Sequence, residues 1–279
     1  MDDIAAELGW PSYRQGSVDS WQGANHVRKE DYVAEEVPIV LVYNNQPHVV
    51  MLTTPLDLED FALGFSLTEG IIRHPSELLS IHVVQRAKGI EVRMRLPENR
   101  FSCILDKGRN MTGRTGCGLC GATTLEQAIR QPPPVGRGLT VDAEQIMSAL
   151  AAMRKQQSLN QLTGSVHAAA WLRPGQGIAV LREDIGRHNA LDKLIGTLAK
   201  TKQTFDQGCL LITSRASYEM VQKAASVGIT VMAAISAPTG LAIKLAEECG
   251  LTLVGFARND NHVIYTHPYR IQHYQTIAS

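Results

Sequence analysis

The chain has 279 residues, of which 44% are apolar and 19% charged, and its 27 basic and 27 acidic residues cancel. This is the composition of a globular protein with one large or two modest cores, and it argues against a nucleic-acid-binding or polybasic membrane-binding surface. No apolar run approaches the ~20 residues that span a bilayer, and the acidic start Met-Asp-Asp-Ile lacks the layout of a signal peptide. We therefore expect a cytoplasmic protein whose five cysteines stay reduced.

The N-terminal part is predicted to contain an arm and a small domain. Residues 1–30 are polar without a clear period and are predicted to form a loosely attached arm. Residues 31–107 are predicted to form a small α+β domain of antiparallel hairpins around one helix, which is expected to be capped by Asp57 and to stop at Gly70. The expected strands are 37–43, 48–53, 81–86, 90–96 and 101–105.

Residues 108–121 are predicted to form a flexible loop, because glycine and basic residues dominate them. The remaining residues, 122–279, alternate strand-like and helix-like segments. That alternation predicts an α/β domain with a mostly parallel sheet and helices on both faces. The expected strands are 178–181, 210–213, 230–235, 251–256 and 263–266, and the expected helices, after a short one at 122–130, are 142–155, 189–200, 218–227 and 241–249.

The sharpest chemical signal is the Cys-x-x-Cys pair formed by Cys117 and Cys120 within the glycine-rich loop. Three interpretations remain open: half of a zinc site, a redox pair, or a nucleophilic thiol. A structural zinc site needs four ligands, and no second Cys-x-x-Cys is present. A thiolate is the reactive form of cysteine, and both Arg114 and the start of the following helix would lower the pKa of a nearby thiol. Cys209 and Cys249 fall in predicted regular elements and are expected to be buried and inert.

His167-Ala168-Ala169 is a near miss for the His-x-Glu motif of zinc nucleobase deaminases. The motif should precede the cysteine pair, and here it follows. Ala169 stands where the proton-shuttling glutamate is required, so the sequence argues against deamination. His167 could line a site or be a satisfied core histidine.

Three strand-to-helix loops carry small polar and cationic residues. In a parallel sheet such loops gather at the carboxyl edge, where helix N-termini favour anions. The sequence therefore predicts a site for an extended phosphorylated ligand. The alternative is that Ser214, Ser217, Ser236 and Thr239 only cap helices while Arg187 pairs with Asp184. The candidate ligand-binding residues in these loops are Arg187, His188, Ser214, Arg215 and Ser217.

Four long motifs stand out: residues 113–121 (Gly-Arg-Thr-Gly-Cys-Gly-Leu-Cys-Gly), 183–193 (Glu-Asp-Ile-Gly-Arg-His-Asn-Ala-Leu-Asp-Lys), 214–221 (Ser-Arg-Ala-Ser-Tyr-Glu-Met-Val) and 251–256 (Leu-Thr-Leu-Val-Gly-Phe). Together they closely resemble the FdhD family of sulfur-carrier proteins required for formate dehydrogenase activity. Two shorter motifs, at 60–65 and 68–72, match the N-terminal half of that family. The resemblance covers roughly residues 33–270.

The resemblance implies a sulfurtransferase that acts through a cysteine persulfide. A cysteine desulfurase would load Cys117, and the sulfur would pass to the molybdenum of bis(molybdopterin guanine dinucleotide) before this cofactor enters apo formate dehydrogenase. Cys120 would resolve or relay the sulfur. The resemblance also implies a three-layer fold like that of cytidine deaminase, a homodimer, and no structural metal. It places the cofactor-binding turn at Phe256, Ala257, Arg258, Asn259, Asp260 and Asn261, which differ from the more glycine- and arginine-rich turn frequent in the family.

Two other functions compete with sulfur transfer. A cofactor chaperone would bind and protect the molybdenum cofactor without needing Cys117. A zinc hydrolase would hold a stoichiometric metal.

Overall fold

The computed structural model describes residues 9–107, 130–258 and 260–273. Within these ranges no helix is both long enough and apolar enough to cross a membrane. The described chain forms two main sheets, a separate N-terminal hairpin and seven α-helices.

The N-terminal hairpin consists of β1 (Tyr13–Gln22) and β2 (Asn25–Ala34), which pair antiparallel along their whole length. The sequence did not predict these two strands, and the loosely attached arm itself stays a prediction. A half-buried strand is recognised in a sequence by alternating apolar and polar residues. These two strands carry polar side chains on both faces and therefore lack that pattern. The strands are consequently mostly exposed.

A four-stranded sheet follows, with the strand order β4-β3-β6-β5. The hairpin predicted around Asn44 and Asn45 is confirmed, since both residues have positive φ angles of 45° and 67°. The prediction of antiparallel hairpins alone is wrong, because β3 and β6 pair in parallel at the centre of the sheet. The strands are β3 (Val37–Tyr43), β4 (Gln46–Thr53), β5 (Ser80–Arg86) and β6 (Gly89–Arg95).

Two helices accompany this sheet. Helix α1 (Leu58–Thr68) begins after Asp57, but the Asp57 side chain makes no cap hydrogen bond, so the predicted side-chain cap is wrong. Helix α2 (Glu98–Lys107) replaces the strand predicted at 101–105. A five-residue apolar run does not distinguish a strand from a helix, and Phe101 with the apolar residues three and four positions later also fits a helical face.

The second sheet has six strands in the order β13-β12-β11-β10-β8-β9. Strands β9 to β12 share one direction, while β8 and β13 run against it. The prediction of a mostly parallel sheet therefore holds for strand direction but not for pairing, where only β10–β11 and β11–β12 are parallel. The strands are β8 (His167–Arg173), β9 (Gly177–Asp184), β10 (Cys209–Ile212), β11 (Val231–Ala234), β12 (Thr252–Arg258) and β13 (Asn261–Thr266).

Helices cover both faces of this sheet, as the alternation of segments predicts. Helix α3 (Ala143–Gln156) packs on one face against residues such as Ala170 and Leu211. The opposite face carries α5 (Arg187–Lys200), α6 (Tyr218–Ser226) and α7 (Gly240–Cys249). A short helix, α4 (Ser158–Thr163), precedes β8, and β7 (Val141–Asp142) pairs with β14 (Ile271–Gln272).

Helices α1 and α5 join the two sheets along a glycine-lined seam. A Cβ atom on Gly64 would meet the backbone carbonyl of Asp192, and one on Gly196 would meet that of Asp60. The backbones of the two helices are therefore in direct contact. One hydrophobic core continues from the four-stranded sheet through this seam to one face of the six-stranded sheet. The predicted domain division at residue 107 stays a prediction.

Candidate functional site

The loops that follow β9 to β12 meet at one edge of the six-stranded sheet, because these strands share a direction. His167 reaches the same edge from the start of β8, where it lies opposite Asp184. Neighbouring loops are tied together by backbone hydrogen bonds, one from Thr239 N to Ala216 O (3.1 Å) and one from Phe256 N to Ser236 O (3.2 Å). We call this surface the carboxyl edge.

Helix α5 presents an uncapped N-terminus at the carboxyl edge. Its N-cap residue is Gly186, which offers no side-chain acceptor. Arg187 follows, and its Nε atom is buried without a hydrogen-bond partner among the described residues. Burial first and the charge of Arg187 second lower the pKa of His167, so the imidazole is neutral at pH 7. The edge thus has an unused cationic donor in Arg187.

Helix α6 presents a second unused group. Ser217 is its N-cap residue, yet the hydroxyl makes no cap bond, and its Oγ atom is buried without a partner in the described chain. The capping alternative is therefore wrong for Ser217, whereas it holds for Thr239, whose Oγ1 accepts from Ala242 N (3.3 Å). Ser214 donates to the carbonyl of Arg215 (3.1 Å), and the Arg215 side chain is exposed at the edge.

Asp184 forms its ion pair with a lysine, Lys193, and not with Arg187 as the capping alternative expected. Its Oδ2 atom lies 2.7 Å from Lys193 Nζ, and both side chains are 0% exposed. Sequence reasoning missed this pair. The available signal was a lysine between Leu191 and Leu194, since a charged residue inside a buried helix is normally paired.

His188, the other candidate at the start of α5, is buried between α5 and α6. Its Nε2 atom lies 3.9 Å from Glu219 Oε2. The side chain therefore faces the helix interface more than the loops.

The turn between β12 and β13 closes the carboxyl edge. Phe256 has a φ angle of 51°, a strained conformation for an aromatic residue, and its ring is 39% exposed. Ala257 is buried in the core that α3 covers, so its side chain is not available to a ligand. Arg258 and Asp260 are exposed, Asn261 starts β13, and Asn259 lies outside the described residues.

The predicted reactive pair, Cys117 and Cys120, also lies outside the described residues. The two cysteines expected to be inert, Cys209 and Cys249, are confirmed as buried. Burial raises the pKa of both thiols, which suppresses the nucleophilic thiolate.

Arg130, the first described residue after the cysteine segment, is held beside helix α6. Its carbonyl oxygen accepts a 2.7 Å hydrogen bond from Tyr218 Oη, and its Nη1 atom lies 3.0 Å from Glu69 Oε2. Tyr218 is the residue directly after Ser217. Arg130 is therefore fixed between the start of helix α6 and Glu69, the residue after helix α1.

The fold and this edge define a mixed α/β protein whose helix N-termini hold unused buried polar groups, an arrangement suited to an anionic ligand. The family model described as the FdhD/NarQ family matches residues 34–272. The chain belongs to this family.

Curated relatives match over nearly the whole chain. The "Sulfur carrier protein FdhD" of Cupriavidus necator is 48% identical over 268 residues, covering 96% of this chain and 93% of that protein. The protein of the same name from Xanthomonas euvesicatoria is 46% identical over 264 residues, covering 93% and 94%. A crystal structure of a putative formate dehydrogenase accessory protein from Desulfotalea psychrophila shares the fold, with a TM-score of 0.73, 22% identity and coverage of 94% and 100%.

Proposed function

We propose that this chain is a sulfur carrier for formate dehydrogenase. Cys117 accepts persulfide sulfur from a cysteine desulfurase and passes it to the molybdenum of bis(molybdopterin guanine dinucleotide), which then enters apo formate dehydrogenase. The observation that supports the proposal is the pair of buried donors at the carboxyl edge, Arg187 Nε and Ser217 Oγ, which have no partner in the described chain and suit an anionic cofactor. The names of the relatives support the sulfur chemistry.

The loading step requires only one thiolate. Cys117 attacks the outer sulfur of the desulfurase persulfide, a new S–S bond forms on Cys117, and the desulfurase cysteine leaves as a thiolate. Cys120 can then attack the Sγ of Cys117, which releases sulfide for the metal and leaves a disulfide that a cellular dithiol must reduce. The cofactor is the substrate that receives this sulfide.

The carboxyl edge would hold the diphosphate groups of the cofactor. Arg187 Nε and the Ser217 hydroxyl are buried donors without partners in the described chain, and the free N–H groups at the starts of α5 and α6 add positive potential. Arg215, Ser214 and His188 belong to the same two loops. The turn of residues 256–261 would line the other side, with the Phe256 ring exposed there.

Three wider expectations belong to the same proposal. The protein acts in the cytoplasm and as a homodimer, and its six-stranded sheet is related to that of cytidine deaminase. In that relation Ala169, which is buried, takes the position of the catalytic glutamate of the deaminases, and alanine supplies no acid there.

The first prediction concerns the persulfide. After incubation with a cysteine desulfurase and cysteine, mass spectrometry should find one added sulfur on the peptide that contains Cys117. Cys117→Ala should remove this signal and abolish formate dehydrogenase maturation. Cys209 and Cys249 serve as internal controls, because buried thiols of raised pKa should stay unmodified. A wild-type chain that never gains sulfur at Cys117 would refute the proposal.

A second prediction separates sulfur transfer from a chaperone role. Arg187→Ala should weaken binding of guanosine diphosphate, a fragment of the cofactor, by about tenfold or more, because one charge-assisted bond is worth ~1.5–3 kcal/mol. The same variant should still accept sulfur on Cys117. Full dehydrogenase maturation by Cys117→Ala would instead favour the chaperone.

A further inference from the structure

The carboxylate of Asp184 organises the loop that leads into helix α5. One oxygen, Oδ1, accepts from Gly186 N (2.8 Å) and from Asn189 Nδ2 (2.9 Å). The other, Oδ2, accepts from Thr54 N (3.0 Å) and lies 2.7 Å from Lys193 Nζ. Four donors thus fix a buried carboxylate three residues before Arg187.

Lys193 completes this arrangement from the second turn of helix α5. Its ammonium also donates to the carbonyl oxygens of Thr54 (3.0 Å) and Glu183 (3.3 Å). The same loop receives support from the chain after β4, because Ile185 N donates to Thr54 Oγ1 (3.1 Å) and Asn189 Nδ2 donates to Leu52 O (2.9 Å). Residues on both sides of Arg187 are therefore hydrogen-bonded to residues about 130 positions earlier in the chain.

A buried ion pair is a costly way to gain stability, because desolvation offsets most of the attraction between the charges. Its hydrogen bonds are nonetheless directional, so they define one loop geometry. We propose that Lys193 and Asp184 are positioning residues that hold Arg187 in the orientation required to bind the diphosphate group of the ligand. This inference rests on the anion site of the proposed function and extends it from the contact residues to their support.

The chain contains a matched control for the loss of a buried lysine. Lys223 in α6 lies 2.9 Å from Asp192 Oδ2 and 3.0 Å from Glu69 Oε1, and its side chain is 4% exposed. It makes none of the hydrogen bonds of the β9–α5 loop. Lys193→Met and Lys223→Met should both lower the melting temperature, but only Lys193→Met should disturb Arg187.

The test measures binding of guanosine diphosphate and of inorganic pyrophosphate to the full chain, well below the melting temperature of each variant. Lys193→Met should lower the affinity for both ligands by about tenfold, which is about 1.4 kcal/mol of binding free energy. Lys223→Met should lower it by less than about twofold. In an Arg187→Ala background, Lys193→Met should have no additional effect, because it acts through that arginine. Equal losses in the two lysine variants, or additive losses with Arg187→Ala, would overturn the inference.

A milder variant covers the case in which Lys193→Met does not fold. Thr54→Val keeps the shape of the side chain and removes only the acceptor of the Ile185 bond. It should lower the affinity for both probes by about threefold, roughly 0.65 kcal/mol of binding free energy. An unchanged affinity would count against the inference. A wild-type chain that binds neither probe would overturn the anion site together with this inference, whereas normal binding by Lys193→Met would overturn the inference alone.

Discussion

His167 shows how a single residue can report on the carboxyl edge. Burial and the charge of Arg187 both disfavour the imidazolium, and Asp184 only partly compensates. The pKa in the folded state is therefore below the ordinary ~6.5, so protonation favours unfolding and His167 lowers stability as the pH falls below that value. An anion bound beside Arg187 would offset the charge of that arginine and so raise the pKa of His167.

We predict that guanosine diphosphate raises the pKa of His167. Because the bound-state pKa is then higher than the free-state pKa, affinity should increase as the pH falls between these two values. Titration of the imidazole proton resonances with and without the nucleotide measures the shift, and His167→Asn provides the assignment and should flatten the pH dependence of binding. A pKa that does not respond to saturating nucleotide would contradict the proposed location of the anion.

At the scale of elements, the seam between α1 and α5 has no room for a side chain at its two glycines. Gly196→Ala would press a methyl group against the carbonyl of Asp60. Overpacking of this kind costs about 1–3 kcal/mol, and more where only backbone can move. Chemical denaturation should show this loss, while Gly16→Ala, in the exposed hairpin with nothing within 4 Å of the added Cβ, should change stability little.

Elements with a clear apolar period could be predicted from the sequence, and elements without one could not. The hairpin of β3 and β4 and most of the later strand–helix alternation were predictable for that reason. Strand β8 was missed because it is buried on both faces and carries three consecutive alanines, which have low strand propensity. The β1–β2 hairpin was missed because it is polar on both faces.

The candidate site was predictable only where a single segment carries the signal. Arg187 and Ser217 lie at helix starts, which sequence patterns reveal. The partners of Asp184 could not be read from the sequence, because Thr54 approaches from 130 residues away and hydrogen-bond partners at that separation leave no local pattern. For the same reason, the hydrogen bond between Tyr218 and Arg130 could not be foreseen.

At the scale of the whole molecule, the continuous core predicts one cooperative unit. Ten of the eleven residues of α1 are buried, and α5 provides much of their cover. Native-state hydrogen exchange should therefore give α1 and α5 the same opening free energy, equal to that of global unfolding. Exchange of α1 at a distinctly lower free energy would instead support two independently folding domains.

The backbone contact at Gly64 and Gly196 also has an evolutionary consequence. Each glycine is required because the backbone of the other helix, encoded more than 100 codons away, leaves no room for a side chain. Substitutions in one half of the gene are therefore restricted by the other half. A chimera that joins the first half of this chain to the second half of a homologue should remain stable only if the homologue also has a glycine at the position of Gly196, which faces the carbonyl of Asp60. We expect recombination between distant lineages to be tolerated least at this point of the protein.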